Sequence, residues 1–411
     1  MKIAYFTDTY LPQLNGVSVS VQTVVGALRK KGHTVFVFAP EIKGHEDKSE
    51  DIIRLKSFKI LSSEPAVLLP MLLPNKNYRK VMSLDFDLIH AHGNGAFSLL
   101  GYQVALMRGI PYVLTFHNLH TKYTHYIFKG KIVTPRMVAG ALKAFGNICD
   151  GVIAPSFKMK AELLRFGIKK HIEVIPNPIE IEKFGVGDRE FLRKKFGILP
   201  KDPIILSVGR LGKEKNFKFI LKCFATIHKK YHNTHFVLIG TGTEEKNLKE
   251  LAESLKLGEY MHFAGKEDAS QMPSIYAGAD IFMFASTTET QGMVVSEAAA
   301  SGLPLIVVKD SAYENVVTEK NGYSLPLLQK EFVEKTIFLL QNPNVRKKMG
   351  EESRKIVKQI YGQADIADRL VNYYNDILIS TSGKKRKRKI FSQRSLRVIS
   401  RASSVVEKMF R

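Results

Sequence analysis

The sequence predicts an α/β protein made of two domains, each with a parallel sheet between layers of helices. Short apolar runs such as 204–208 and 281–284 are typical of buried parallel strands, and helical stretches separate them. The alternation begins at Lys2 and restarts at Ile204, after a proline-containing segment at 176–178. With 411 residues, 45% of them hydrophobic, the chain is long enough to form two cores.

The first domain is predicted to begin with a strand at 2–7 and an amphipathic helix at 18–31. Gly32 ends this helix, because glycine accepts the left-handed backbone of a helix terminus. Further apolar runs predict strands at 35–38, 88–90, 113–118, 151–156 and 173–178. Asp85 and Asp87 lie in a turn between a helix and the second of these strands, so we predict no metal site from them.

The second domain is predicted to repeat this alternation without repeating the sequence. Its strands are predicted at 204–208, 236–239, 261–265, 281–284 and 303–308. Its helices are predicted at 272–279, 293–301, 332–340 and 344–360. A last helix is predicted at 365–379, where apolar residues recur at helical spacing.

Residues 287–304 are the most informative stretch, because they combine a strand end, a turn and the start of a helix. Glu289 falls in the turn and Glu297 about one turn inside the helix, which ends at Gly302. The backbone N–H groups at the start of the helix belong to Thr290, Gln291, Gly292 and Met293. Such groups bind anions, and two nearby carboxylates can accept hydrogen bonds from sugar hydroxyls. Taken alone, Glu289 could instead be a capping acid and Glu297 a solvated helix residue.

Two cations lie in the loop that follows the strand at 204–208. Arg210 and Lys215 are five residues apart, so they can hold a diphosphate from two sides. The alternative is a pair of unrelated surface cations.

The first domain offers fewer candidate residues. His117 lies at the end of a predicted strand, at the edge where open parallel sheets bind ligands. His90 and His92 lie at another strand end, and without a third ligand nearby they are predicted to support the site rather than to bind a metal. Gly16 lies in the loop before the first helix. A lone histidine at a strand end is most often structural, and a lone glycine in a loop most often belongs to a turn.

These phrases together resemble the retaining glycosyltransferases of the GT-B fold, family 4. The first motif contains Glu289, Gly292 and Glu297, followed by the sequence Ala-Ser-Gly-Leu-Pro at the end of the helix. The second motif is the Gly-Arg-Leu sequence at the start of the loop at 209–216. The Thr-Glu-Thr-Gln-Gly form of the turn is similar to that of the bacterial diacylglycerol glycosyltransferases. The resemblance covers nearly all of residues 1–379 and departs from the family at Pro178, where glycine is usual.

The resemblance implies two Rossmann-like domains facing across a cleft, with a C-terminal crossover helix. We therefore expect an acceptor- and membrane-facing domain at 1–183 and a nucleotide-sugar-binding domain at 184–360. The crossover helix is expected at 361–380, and a polybasic amphipathic tail at 381–411.

The implied reaction moves a hexose, with retention, from a nucleotide sugar to a membrane lipid. UDP-glucose is the expected donor, and diacylglycerol or a glycosyl-diacylglycerol is the expected acceptor. The resemblance assigns the sugar to Glu289, the ribose to Glu297 and the diphosphate to Arg210 and Lys215, which replace a metal. No cofactor beyond the donor is therefore expected. The first domain would complete the site with the loop glycine and with His117 as a catalytic residue.

The formal net charge of +23 requires an anionic partner, either nucleic acid or a membrane surface. The sequence contains no zinc knuckle, basic zipper or aromatic ribonucleoprotein motif, so nucleic acid has no support beyond charge. The expected membrane contacts are Lys76, Arg79, Lys80, Lys384, Lys385, Arg386, Lys387, Arg388 and Lys389. Residues 121–149 form a further basic surface with interleaved aromatic residues. The alternative for each region is a solvated basic segment.

The expected location is the cytoplasmic face of the cell membrane, with peripheral attachment. Cys149 and Cys223 fall in different predicted domains and lack metal-ligand spacing, which fits a reducing compartment. Two rival functions stay open: a family 4 enzyme with a soluble or polysaccharide acceptor, and a catalytically silent scaffold that binds a surface.

Overall fold

The computed structural model describes residues 1–13, 15–47, 49–59, 68–70, 76–117 and 135–382. The chain divides into two compact units. The first comprises Met1–Pro178 together with the chain from Gln363, and the second comprises Ile179–Gly362. The first division falls after Pro178, a few residues before the expected end of the N-terminal domain at 183.

The first unit is built around a seven-stranded parallel sheet. The strands are β1 (Lys2–Thr7), β2 (Thr34–Pro40), β3 (Ile52–Leu55), β6 (Leu88–His92), β7 (Tyr112–Thr115), β8 (Gly151–Ala154) and β9 (Ile172–Val174). Their spatial order is β3-β2-β1-β6-β7-β8-β9. The helices are α1 (Gly16–Lys30), α2 (Lys76–Ser83), α3 (Ala96–Arg108), α4 (Pro135–Ile148), α5 (Phe157–Arg165) and α14 (Gln363–Ser382).

Most predicted elements of this unit are confirmed, although β7, β8 and β9 end before their predicted bounds. Helix α1 begins earlier than predicted because the Asn15 side chain caps it, accepting hydrogen bonds from the N–H groups of Val17 and Ser18. Strand β3 was not predicted, since four residues at a sheet edge give little periodic signal. The short antiparallel pair of β4 (Ser57–Lys59) and β5 (Leu68–Pro70) was not predicted either.

The second unit contains a six-stranded parallel sheet. The strands are β10 (Ile204–Val208), β11 (His235–Ile239), β12 (Met261–Gly265), β13 (Ile281–Phe284), β14 (Leu305–Val308) and β15 (Gly322–Leu325). Their spatial order is β12-β11-β10-β13-β14-β15. The helices are α6 (Ile181–Phe184), α7 (Phe191–Phe196), α8 (Phe217–His228), α9 (Glu245–Ser254), α10 (Met272–Ala277), α11 (Met293–Ala300), α12 (Gln329–Gln341) and α13 (Pro343–Tyr361).

The apolar runs predicted as strands at 204–208, 261–265 and 281–284 are confirmed at their predicted bounds. Every residue of β13 and β14 is buried, which explains why these strands read as continuous hydrophobic runs. Strand β15 was not predicted, because it is a partly exposed edge strand with mixed composition.

Helix α14 packs against the sheet of the first unit. The Tyr374 hydroxyl lies 2.8 Å from the Tyr5 hydroxyl and 2.6 Å from Nδ1 of His90. The Tyr373 hydroxyl accepts a hydrogen bond of 3.0 Å from the backbone N–H of Val152. After the second unit, the chain thus returns to the sheet formed by its beginning.

Candidate functional site

The predicted donor residues lie in loops at one edge of the second sheet. All six strands run parallel, so the loops that follow β10, β11 and β13 leave the sheet at the same edge. These three strands are also neighbours, in the order β11-β10-β13. Folding therefore brings together segments that are far apart in the sequence.

Two of these loops pack backbone against backbone. The N–H of Leu211 donates a hydrogen bond of 2.9 Å to the carbonyl of Thr241. A Cβ atom on Gly240 would overlap the carbonyl of Gly209, and one on Gly242 would lie 2.5 Å from the carbonyl oxygen of Leu211. The Gly-Thr-Gly turn is therefore explained by close packing of the loop that carries Arg210 and Lys215.

The structure brings Lys215 and Glu289 together in an ion pair. Their side chains are only 15% and 14% exposed, so the pair is mostly shielded from water. Asn216 holds the two loops at this spacing, since it adopts a left-handed backbone (φ 55°) and its side-chain amide donates to the carbonyl of Ala285 at 2.8 Å. A cation predicted to bind diphosphate thus contacts an acid predicted to bind the sugar.

Arg210, the other predicted diphosphate cation, forms an ion pair within its own loop. Nη2 of Arg210 lies 2.6 Å from Oε1 of Glu214. Glu214 was not singled out from the sequence, because an acid four residues after an arginine usually indicates only a local ion pair.

Glu297 is half-buried and accepts a hydrogen bond of 2.8 Å from the Tyr276 hydroxyl. The alternative of a solvated helix residue is therefore wrong. Burial raises the pKa of Glu297 above its usual value, and the Tyr276 hydrogen bond partly opposes that rise. Tyr276 comes from α10, and no spacing in the sequence indicated that it would meet α11.

Helix α11 begins without a side-chain cap. Its N-cap is Gly292, in a left-handed backbone (φ 73°), and Glu289 pairs with Lys215 rather than capping the helix. Thr290 and Met293 are half-buried beside this terminus, while Gln291 is buried. The helix terminus thus keeps the polarity that suits an anion.

Two further hydroxyls lie in the loop between β13 and α11. Ser286 Oγ and Thr288 Oγ1 are buried and have no hydrogen-bond partner among the described residues. Buried hydroxyls are normally paired, so these two hydroxyls depart from the usual pattern. Serine and threonine are too common in turns for the sequence alone to have identified them.

Replacing Gly292 by alanine is expected to destabilise the second unit. The new Cβ would lie 2.6 Å from the Tyr313 ring, and the left-handed backbone disfavours alanine by roughly 1–2 kcal/mol. Thermal unfolding followed by circular dichroism should show a lowered midpoint. Gly258→Ala is the matched control, because Gly258 also has a positive φ (51°) but a Cβ added there would meet no atom within 4 Å. Equal losses in the two variants would contradict the role of the Tyr313 contact.

In the first unit, His117 belongs to a buried cluster of histidines. It follows β7, and its Nε2 lies 3.0 Å from Nδ1 of His92 at the end of β6. The rings of His90 and His92 lie 4.2 Å apart, and Nε2 of His90 lies 2.7 Å from Oγ1 of Thr115. His90, His92 and His117 are all buried, and the prediction that the first two support the site stays a prediction.

Burial lowers the pKa of each of these histidines. The pKa falls to about 3 for His90 and to about 4 for His117, and that of His92 is also well below its usual value. The neighbouring histidines add a repulsion that lowers the pKa of His90 and His92 further. All three rings are therefore neutral at physiological pH.

The first unit should consequently lose stability on mild acidification. An unfolded histidine binds a proton below about pH 6.5, whereas folded His90 and His117 stay neutral until about pH 3 and pH 4, and the pKa of His92 is also lowered. Stability is thus complete above pH 6.5 and declines below it, by about 1.4 kcal/mol per pH unit for each group. Thermal midpoints at pH 7.5 and 5.5 test this: His92→Gln should reduce the difference, and replacing the exposed His171 by glutamine should not. An equal effect of both changes would contradict the assignment.

Asp8 and Gly16 lie at the two ends of the loop between β1 and α1. Gly16 is exposed and is the first residue of α1. Asp8, directly after β1, accepts a hydrogen bond of 3.0 Å from the N–H of Phe97 at the start of α3. Burial raises the pKa of Asp8 to about 6, and the hydrogen bonds from the α3 backbone oppose the rise. Asp8 was not identified from the sequence, although its position after a strand was a usable signal.

The expected membrane residues are only partly within the described chain. Lys76, Arg79 and Lys80 lie within α2, and Lys80 is exposed. Residues 384–389, and residues 121–134 of the second basic surface, lie outside the described residues. Within the described part of the chain, no helix combines the length and apolar character needed to span a bilayer. In the same ranges, no three His, Cys, Asp or Glu side chains are grouped to hold a metal ion.

The chain is similar to known proteins along most of its length. The family model described as Glycosyltransferase Family 4 matches residues 14–183, and the one described as Glycosyl transferases group 1 matches residues 188–356. Alpha-monoglucosyldiacylglycerol synthase of Streptococcus pneumoniae is 30% identical over 399 residues, which cover 94% of this chain and 88% of that protein. The protein of the same name from Acholeplasma laidlawii is 29% identical over 403 residues, which cover 95% and 100%.

More distant similarities extend to other donors and to solved structures. GDP-mannose-dependent alpha-mannosyltransferase of Mycobacterium tuberculosis is 26% identical over 333 residues, covering 80% of this chain and 84% of that protein. HepE of Anabaena, solved with UDP and glucose, has a TM-score of 0.72 at 17% identity, covering 92% and 100%. Sucrose-phosphate synthase from Thermosynechococcus elongatus has a TM-score of 0.73 at 21% identity, covering 92% and 99%.

Two parallel-sheet units, charged loops at the carboxyl edge of the second sheet and these similarities define a two-domain glycosyltransferase of the GT-B fold. The expected fold class is confirmed. The chain belongs to glycosyltransferase family 4.

Proposed function

We propose that this protein is a retaining hexosyltransferase that moves glucose from UDP-glucose to diacylglycerol or a glycosyl-diacylglycerol. The contact between Lys215 and Glu289 carries the proposal, because it joins a cation suited to a diphosphate with an acid suited to a hexose. The names of the two synthases support the lipid acceptor and the α-linked product. The UDP and glucose bound in HepE support the donor.

In the proposed reaction the bond between the anomeric carbon and the diphosphate oxygen breaks, and the acceptor hydroxyl attacks from the same face. The hydroxyl proton passes to the departing phosphate oxygen, which restores the charge balance without a covalent enzyme intermediate. Lys215 and Arg210 stabilise the negative charge that develops on the diphosphate. Glu289 accepts hydrogen bonds from the hexose hydroxyls and so orients the sugar.

For the remaining residues we propose the roles that the family resemblance implies. Glu297 binds the ribose, and the N-terminus of α11, from Thr290 to Met293, faces the phosphates. In the first unit, neutral His117 can exchange hydrogen bonds with a sugar hydroxyl without carrying charge. Gly16 is assigned to the diphosphate through its backbone.

A panel of donors and acceptors tests this proposal. The purified full chain is incubated with UDP-glucose, UDP-galactose or GDP-mannose, each with diacylglycerol or with a soluble sugar acceptor, and the products are weighed by mass spectrometry. The expected product is a monohexosyl or dihexosyl diacylglycerol formed from UDP-glucose. A product formed only from GDP-mannose would contradict the proposed donor. A product formed only on the soluble sugar would contradict the proposed lipid acceptor.

The proposed second partner is an anionic membrane surface on the cytoplasmic side of the cell membrane. The segment after Ser382 holds eleven lysine and arginine residues and one acid, which is nearly half of the net charge of +23. Each cation close to an anionic surface contributes about 1 kcal/mol, and the apolar residues at 390–411 can add burial at the headgroups. The basic residues of α2 are proposed to extend this surface.

Truncation after Ser382 is expected to abolish most binding to anionic vesicles. Sedimentation with phosphatidylglycerol-containing vesicles should pellet the full chain but little of the shortened one, and pure phosphatidylcholine should pellet neither. The shortened chain should still act on acceptor dispersed in detergent. Equal pelleting of the full and shortened chains would contradict the proposal that the tail anchors the protein. Equal binding to anionic and to neutral vesicles would contradict the electrostatic argument.

A further inference from the structure

The loop between β10 and α8 contains an acid that the proposed reaction does not use. Glu214 lies one residue before Lys215, within the short 3₁₀ helix Lys213–Lys215. Its side chain is 6% exposed, whereas that of its partner Arg210 is 47% exposed. A nearly buried carboxylate thus anchors one end of an exposed guanidinium, which differs from an ordinary surface ion pair.

Gly212 makes room for this arrangement. A Cβ atom on Gly212 would lie 2.5 Å from both carboxylate oxygens of Glu214. The backbone of Gly212 is extended (φ −108°, ψ 159°), a conformation open to any residue. The position of the Glu214 carboxylate, rather than the path of the chain, therefore favours glycine here.

The paired guanidinium is compatible with anion binding. Arginine carries five N–H donors in a planar fork, so one guanidinium can contact a carboxylate and a phosphate together. A free arginine side chain loses rotamer freedom when it binds, and a partner that already fixes the side chain reduces this loss. The Glu214 carboxylate also adds negative charge near the phosphates. Orienting Arg210 therefore favours UDP binding, whereas repulsion between the carboxylate and the phosphates opposes it.

We infer that Glu214 is a positioning residue that orients Arg210 for binding the donor diphosphate. Because Gly212 has no side chain, it leaves space for the Glu214 carboxylate. The inference rests on the proposed role of Arg210 in binding diphosphate. The orientation of Arg210 outweighs the repulsion between the Glu214 carboxylate and the phosphates. The carboxylate lies 2.6 Å from the Arg210 guanidinium, and this cation compensates most of its negative charge.

Two variants separate orientation from charge. Glu214→Gln removes the negative charge and weakens the hold on Arg210. Gly212→Ala keeps the charge but displaces the carboxylate, since only the end of a flexible side chain has to move. Each variant is made with Arg210 present and with Arg210→Ala, and calorimetry measures the affinity of the full chain for UDP.

Each variant is expected to weaken UDP binding about tenfold when Arg210 is present and not to weaken it in the Arg210→Ala background. Equal weakening in both backgrounds would overturn the inference, because Glu214 would then act through the general structure of the loop. Tighter binding of Glu214→Gln with Arg210 present would also overturn it, because the carboxylate would then compete with phosphate. Unchanged affinity in Arg210→Ala alone would instead contradict the proposed role of Arg210, and the inference would fail with it.

Discussion

Replacing Glu289 by glutamine is expected to lower kcat about ten- to hundredfold, with a smaller change in UDP affinity. Glutamine keeps the shape of the side chain but loses the charge that strengthens hydrogen bonds to the hexose hydroxyls. A hydrogen bond to a charged group is worth about 1.5–3 kcal/mol. The loss should fall on turnover because the proposed contact of Glu289 is with the transferred sugar. Steady-state kinetics with UDP-glucose and calorimetry with UDP measure the two effects separately.

Glu297→Gln is the matched comparison, since it makes the same chemical change on the adjacent helix. If Glu297 binds the ribose, this variant should mainly raise KM for the donor and weaken UDP binding. The Tyr276 hydroxyl can still donate to the glutamine oxygen, so the local packing should survive. The reverse pattern, with kcat lost at Glu297 and KM raised at Glu289, would show that the two roles are exchanged.

Lys215→Ala is expected to weaken UDP binding by roughly 1.5–3 kcal/mol, which is about ten- to a hundredfold in affinity. The ammonium group is largely shielded from water, so its attraction to phosphate is screened less than that of a surface lysine. The change also leaves Glu289 without its cation, so turnover should fall together with affinity.

Lys213→Ala provides the control for this prediction. Lys213 lies in the same 3₁₀ helix but is exposed. Its removal tests whether any positive charge in the loop suffices. Affinity for UDP that drops equally in both variants would contradict a specific role for Lys215, and unchanged affinity in Lys215→Ala would contradict its assignment to the diphosphate.

The local sequence was sufficient to predict structural features that depend only on residues close together in the chain. Strand β13, the turn with Glu289 and helix α11 were predicted because an apolar run, a polar turn and an alanine-rich run ending at Gly302 follow one another. The loop with Arg210 and Lys215 was placed by the same reasoning. The left-handed backbone of Gly292 fits the predicted turn, but its packing against Tyr313 could not be read from the sequence.

The pairings between distant segments could not be predicted. Lys215 meets Glu289 only because β10 and β13 are neighbours in the sheet, and sequence order does not fix that arrangement. His92 meets His117 for the same reason, through the adjacent β6 and β7. Glu214 was overlooked for a different reason, since its significance depends on burial.

The anomeric configuration of the product tests the central claim most directly. The full chain is incubated with UDP-glucose and diacylglycerol in anionic vesicles, and the purified glycolipid is examined by proton NMR, with the Glu289→Gln variant as a parallel control. We predict an α-glucosyl diacylglycerol, formed much more slowly by the variant. A β-linked product would contradict the retaining mechanism. The absence of any glucosyl lipid would contradict the proposed function itself.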